Sequence, residues 1–143
     1  MWKAFRELMA AGWVEGPAPR LFSVQAAGCA PVVRAVEAGL DACEPIQNPV
    51  TVAAGLRVPG PLGGALMLRG IRDTGGGAVA VTDDELIEGA ALLASLEGVD
   101  ACPEGGAAIA AVRKLLDRGT IGRDDSIVAF NTGAGVLYGR DFK

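Results

Sequence analysis

Trp2, Phe5, Leu8 and Met9 recur at helical spacing and Gly12 ends the pattern, which predicts an amphipathic helix over residues 2–11. No capping residue precedes it, although helices ordinarily begin on one, so the helix reads as if something upstream were missing. After a turn at Gly16-Pro17-Ala18-Pro19, the run Arg20-Leu21-Phe22-Ser23-Val24-Gln25 predicts a short strand. Residues 30–38 predict a helix with Pro31 in its first turn and Gly39 at its end. A long connection over residues 40–61 holds Pro45, Pro49, Pro59 and Pro61, with one helical turn near residues 51–56. Residues 62–73 predict a weaker helix, because Gly63, Gly64 and Gly70 lower its propensity. Gly75-Gly76-Gly77 then turns into the buried strand Ala78-Val79-Ala80-Val81. Thr82-Asp83-Asp84-Glu85 has the arrangement of a capping box, and the helix it opens runs to about Leu96. Another helix is expected over residues 104–118, stopped by Gly119. Last, Ser126-Ile127-Val128-Ala129-Phe130 predicts a buried strand broken at Asn131-Thr132-Gly133-Ala134-Gly135.

Strands alternating with helices predict an α/β fold: three layers, a largely parallel sheet with helices on both faces. No internal repeat, low-complexity tract or linker divides the chain, so residues 1–143 are expected to form a single α/β domain.

Composition narrows the chemistry. Half of the 143 residues are apolar, enough for a packed core. Histidine is absent, which excludes a Ser-His-Asp or Cys-His nucleophile and an imidazole-ligated zinc. A net charge of −4 argues against a nucleic-acid surface. Cys29, Cys43 and Cys102 match no metal-ligand spacing and are expected as reduced thiols serving as small core residues. No apolar run reaches the ~20 residues of a membrane span, and the opening residues mix charges among the apolar positions as no signal peptide does. The expectation is a soluble, cytoplasmic protein.

Ligands of open α/β sheets gather beyond the carboxyl ends of strands, so Asn131-Thr132-Gly133-Ala134-Gly135 is the first candidate site. It offers a hydroxyl and a glycine-loosened backbone. On spacing alone, a plain glycine turn is the favoured alternative. A dinucleotide-binding fingerprint at Gly133-x-Gly135 fails, since only eight residues follow and that site needs a helix and a second strand. Asp83, Asp84 and Glu85 read as cap and macrodipole residues rather than metal ligands. Pro103-Glu104-Gly105-Gly106-Ala107-Ala108 permits close approach at a helix start, by a ligand or by packing of that helix on the sheet.

Several segments together resemble threonine synthases. Thr51-Val52-Ala53-Ala54-Gly55-Leu56-Arg57-Val58-Pro59 is similar to one segment of that family. The register continues through Leu68-Arg69-Gly70-Ile71-Arg72-Asp73-Thr74-Gly75-Gly76 and Ala78-Val79-Ala80-Val81-Thr82-Asp83-Asp84-Glu85. Leu96-Glu97-Gly98-Val99, Cys102-Pro103-Glu104-Gly105-Gly106-Ala107-Ala108 and Phe130-Asn131-Thr132-Gly133-Ala134-Gly135 follow in order. Phe22-Ser23-Val24-Gln25-Ala26-Ala27-Gly28-Cys29-Ala30-Pro31 fits as well.

The resemblance implies part of the large domain of a fold-type II pyridoxal-phosphate enzyme, of the tryptophan-synthase-β type. Such an enzyme converts O-phosphohomoserine and water to threonine and phosphate, in threonine biosynthesis. It implies cofactor-binding roles for Thr132, Gly55 and Gly133. The Thr132 hydroxyl matches the group that hydrogen-bonds the pyridine nitrogen, and Gly55 matches a position whose backbone passes beside the ring. A neutral hydroxyl gives that nitrogen little reason to stay protonated.

The departures from the family are as informative. The Schiff-base lysine of the family lies in an N-terminal S-F-K-like segment that has no counterpart here; the lysines present are Lys3, Lys114 and Lys143. The S-G-N loop and the phosphate-cradling glycine loop are missing too. Cys102 stands where a Glu is frequent, and Ala134 where Asn or Ser is. The expectation is therefore an incomplete C-terminal portion that carries one wall of the cofactor site and no catalytic or metal-binding residue. It should be inactive alone and prone to form a homo-oligomer through exposed apolar surface. Its partners are expected to be a small-molecule substrate, not nucleic acid or membrane. Two rivals stay open: a serine/threonine dehydratase or β-replacement enzyme of the same fold type, and a stand-alone, non-catalytic binding module.

Overall fold

The computed structural model describes residues 1–138. Its centre is a parallel pair of strands, β1 (Phe22–Ala26) and β2 (Gly77–Val81), in register from Phe22 opposite Gly77 to Ala26 opposite Val81. Side chains on a strand alternate between faces, and each face of this pair is covered by helix. Val79 and Val81 face α5 (Pro103–Asp117), where they join Leu86, Ala107, Ala110 and Ala111 in the larger core cluster. Ala78 faces the other way, against Val32, Ala35, Leu68 and Ile71 of α2 (Pro31–Glu37) and α3 (Gly64–Asp73). The α/β reading with helices on both faces therefore holds.

The third expected strand does not form. Residues 126–130 join no ladder among the described residues, and Val128 and Phe130 are 80% and 56% exposed. Apolar alternation licenses a strand only where a neighbouring edge accepts its backbone groups, and neither β1 nor β2 pairs with this segment.

The remaining elements follow their local signals. The helix α4 (Asp83–Glu97) opens on the expected capping box: Glu85 N donates to Thr82 Oγ1 at 3.2 Å, and Thr82 N donates to Glu85 Oε2 at 2.7 Å. Gly98 ends it in the left-handed conformation at φ 68°. At α2, whose cap residue Ala30 has no side-chain oxygen, buried Gln25 of β1 substitutes: its Oε1 accepts from Val32 N at 2.8 Å and Val33 N at 3.1 Å. The first helix, α1 (Trp2–Ala10), has no side-chain cap and lies on α3 through Trp2, which sits over Gly70 and has the guanidinium groups of Arg6 and Arg69 over its ring.

Helices α4 and α5 cross with backbones in contact. A Cβ on Gly106 would lie 2.0 Å from the Leu86 carbonyl oxygen, and one on Gly89 would lie 2.2 Å from that of Gly106. Of the small residues at the start of α5, Gly106 thus serves helix–helix contact, while Ala107 packs on the sheet as expected. Lys114 locks the pair further, with its Nζ 2.6 Å from Glu85 Oε2 and 3.0 Å from the Ala80 carbonyl oxygen. Cys29 and Cys102 are buried and Cys43 is partly so, all three as free thiols.

Candidate functional site

Both strands run the same way, so their carboxyl ends open onto one side of the molecule. Residues 50–56 cross that side. Val50 N donates to the Gly28 carbonyl at 3.2 Å, close enough that a Cβ on Gly28 would meet the Val50 oxygen at 1.9 Å. Buried Thr51 then donates its hydroxyl to Asp83 Oδ1 at 2.6 Å and accepts from Ala53 N at 3.1 Å. Val52 N donates to Asp83 Oδ2 at 3.0 Å. Asp83, read from sequence as an ornament of the helix start, therefore also anchors the incoming segment to the end of β2.

The segment closes in a 3₁₀ turn, Ala54–Leu56, which matches the expected helical turn and carries exposed Gly55. Gly55 N donates to Glu104 Oε1 at 2.7 Å, and a Cβ on Gly55 would meet that same oxygen at 2.7 Å. The side of Gly55 toward α5 is thus occupied by the carboxylate.

The Asn131-Thr132-Gly133-Ala134-Gly135 loop reaches the same helix start from the other direction. Cys102 N donates to the Gly133 carbonyl at 3.1 Å, Gly135 N donates to the Asp100 carbonyl at 2.9 Å, and Ala101 bridges Ala134 in antiparallel fashion. Asn131 lies so near α5 that a Cβ on Gly105 would sit 2.2 Å from its Oδ1. Directly after the loop comes a second 3₁₀ turn, Gly135–Tyr138, whose Tyr138 hydroxyl donates to Glu104 Oε1.

Glu104 is therefore the common partner of two segments that are far apart in sequence. Burial works to raise its pKa, but hydrogen bonds from Tyr138, Cys102, its own amide and Gly55 outweigh that and hold it below the usual carboxylate range. Tyr138 is pushed up to about 12, by burial and then by the neighbouring carboxylate. Cys102 is raised chiefly by burial, which keeps it a thiol.

Of the three residues expected at a cofactor, Gly55 and Gly133 both border the start of α5, and exposed Thr132 stands beside Gly133 on the loop. Glu104, Tyr138 and Asp83 were missed as participants. The one sequence signal for Glu104 was an acidic residue in the first turn after Pro103. Asp83, Asp84 and Glu85 serve the helix start as expected. A cavity of about 380 Å³ lined by Trp2, Phe5, Arg6 and Leu21 lies at the opposite, amino ends of the strands. Lys143 lies outside the described residues. No helix among the described residues is long and apolar enough to cross a membrane.

Residues 1–133 match the family described as pyridoxal-phosphate dependent enzyme. A threonine synthase of Methanosarcina acetivorans is 39% identical over 133 residues, 93% of this chain and 33% of that protein. The threonine synthase of Methanocaldococcus jannaschii is 37% identical over 136 residues, 95% of this chain and 33% of that one. The chain thus spans about a third of the length of the curated relatives it matches. Among solved structures, maize serine racemase superposes with a TM-score of 0.59 at 20% identity, over 83% of this chain and 36% of that one. The serine racemase of Dictyostelium discoideum gives 0.55 at 19%, over 88% and 49%. These two likenesses concern the fold. The chain belongs to the pyridoxal-phosphate dependent enzyme family.

Proposed function

We propose that the chain is one wall of a threonine synthase-type site, acting in an enzyme that turns O-phosphohomoserine and water into threonine and phosphate. The observation that carries this reading is the match to threonine synthases over more than nine-tenths of the chain. Pyridoxal phosphate would supply the electron sink for such a reaction.

The residues present fit a wall of that cofactor. Thr132 is exposed on a loop whose backbone is pinned at Cys102 and Asp100, so its hydroxyl is available to an outside acceptor such as a ring nitrogen. Gly133 and Gly55 put bare backbone on either side of the same helix start. An amine for covalent attachment is another matter: Lys3 pairs with Glu7, and Lys114 is held by Glu85 and the Ala80 carbonyl. The described wall therefore binds and orients, and the covalent step is assigned to chain beyond it. Within the larger enzyme, residues 1–143 form one α/β domain, the partner is a small-molecule substrate, the assembly is a homo-oligomer and the compartment is the cytoplasm.

Two assays test the reading. The purified chain with pyridoxal phosphate, reduced by borohydride and mapped, should show no stoichiometric label on any lysine; such a label would overturn the division of labour. A chimera that joins this chain to the remaining two-thirds of the Methanosarcina relative should release phosphate from O-phosphohomoserine. A 2-oxo acid from serine or threonine without phosphate release would establish a dehydratase instead.

A further inference from the structure

We infer that Glu104 is the positioning residue of this site, a carboxylate that clamps the Gly55 turn and the Thr132 loop to the start of α5 so that the two walls move together. The clamp is a contact between described residues; its bearing on a cofactor rests on the function proposed above.

Three observations converge on it. One oxygen, Glu104 Oε1, accepts from both the Gly55 amide at 2.7 Å and the Tyr138 hydroxyl. These donors belong to segments 83 residues apart, Gly55 and Tyr138, each of which ends beside a candidate ligand-facing backbone. The carboxylate also sits in the first turn of α5, where the dipole of the helix end favours negative charge. A charged acceptor shared by two donors holds both more firmly than two neutral bonds would, and loss of the shared atom frees both at once. The helix behind it cannot easily give way, because α5 rests on α4 backbone to backbone at Gly106, two residues on.

This differs from the role of Thr132. Glu104 touches no ligand in this account; it fixes the separation of the groups that do. Truncation should therefore loosen both walls together, and a side chain that keeps an oxygen at the same place should recover part of the effect.

The test is amide hydrogen exchange on the whole chain, resolved at Gly55 and at Gly135, for the native protein and for Glu104→Ala, Glu104→Gln and Tyr138→Phe. Glu104→Ala should speed exchange at Gly55 about tenfold, with Glu104→Gln between it and the native protein, because a bond to a charged group is lost. Tyr138→Phe should speed exchange by about threefold at Gly55, whose acceptor loses its second donor, and at Gly135, whose turn loses its tie to α5. Exchange at Gly55 within about twofold of native in Glu104→Ala would overturn the inference. Where that variant fails to fold, the same result in both Glu104→Gln and Tyr138→Phe overturns it. Saturating pyridoxal phosphate should slow exchange at Gly133 in the native chain. No such slowing, with the Gly55 response intact, counts against the proposed function and leaves the clamp standing.

Discussion

Gly106→Ala sets two physical effects against each other with opposite signs. In a helix interior, alanine is worth about 1 kcal/mol over glycine, so propensity alone makes the variant more stable. Packing says the reverse. The new Cβ would sit 2.0 Å from the Leu86 carbonyl oxygen and 2.8 Å from Ala90 N, where ordinary contact begins at 3.4 Å. The shortfall at the oxygen is 3.4 − 2.0 = 1.4 Å, and both obstacles are backbone of α4, which no side-chain rotation removes. The helices must part by about that much along their crossing. Overpacking costs about 1–3 kcal/mol, and a gap of about an ångström forfeits up to half of each displaced contact. Taking the upper figure of about 3 kcal/mol against the gain of about 1 leaves a net loss of ~2 kcal/mol. At ~2–4 °C per kcal/mol for a chain near this size, Tm should fall by ~4–8 °C. Urea denaturation followed by far-UV circular dichroism gives the sign directly. Ala91→Gly, at an exposed position of α4, calibrates propensity in the same protein and should lose about 1 kcal/mol. A Gly106→Ala variant as stable as the native protein, or more so, would refute the reasoning, because the backbone contact would then carry no cost.

Gly28→Ala should displace the crossing segment at Val50, whose carbonyl oxygen stands 1.9 Å from the added Cβ, and cost about 1–3 kcal/mol; an unchanged urea midpoint would argue against it. Thr51→Val keeps the shape of a buried side chain but leaves Asp83 without its hydroxyl donor and Ala53 N without its acceptor. A loss of about 1.5–3 kcal/mol is expected by denaturation, and a change under about 0.5 kcal/mol would mean water replaces the bond. Thr132→Ala, at an exposed position, should shift stability by no more than about 0.5 kcal/mol, while it alters the absorption spectrum of pyridoxal phosphate in the chimera. An unaltered spectrum removes the role given to its hydroxyl.

Local rules made most of the elements legible. The period of Trp2, Phe5, Leu8 and Met9 and the Thr82–Glu85 box are each settled within a few residues of chain, and each appears where expected. Residues 126–130 show the limit of such rules. Alternation and β-branched side chains describe a surface that fits a sheet, but the ladder bonds come from another strand, and its availability is a property of the whole fold. The same limit hid the cap at α2, since Gln25 reaches Val32 and Val33 across a turn after a strand. At the site, the glycines were legible because a missing side chain signals close approach. What approaches was not legible: Glu104 is 49 residues from Gly55, and Asp83 is 32 from Thr51. A carboxylate in a first helical turn carries the same local signature whether it serves only the helix or also a distant amide.

The site is held by two kinds of bond, and acid should separate them. The Thr132 loop is fixed by backbone bonds, from Cys102 N to the Gly133 carbonyl and from Gly135 N to the Asp100 carbonyl, which have no charge to lose. The Gly55 turn and, through Tyr138, the far end of that loop also lean on the Glu104 carboxylate. Burial opposes the charge on Glu104, yet the donors of Tyr138, Cys102 and Gly55 prevail, so its folded pKa lies below the ordinary 4.5. A group lowered on folding contributes stability that is fully present above its unfolded pKa and is lost as pH falls through its folded one. Glu85 has the same sign: burial opposes its charge, but the bonds from Lys114 and Thr82 and the charge of Lys114 together outweigh it. Global stability should therefore hold above pH 4.5 and decline below it. Within that decline, protection of the Gly55 and Gly135 amides, corrected for intrinsic exchange, should fall together and ahead of the amides inside α4 and α5. Loss at the two glycines only in step with those helix amides would mean that the acid transition is global unfolding and that Glu104 sets no local step. Earlier loss at both glycines would mean that proton uptake at one carboxylate loosens both walls of the site while the helices behind them remain.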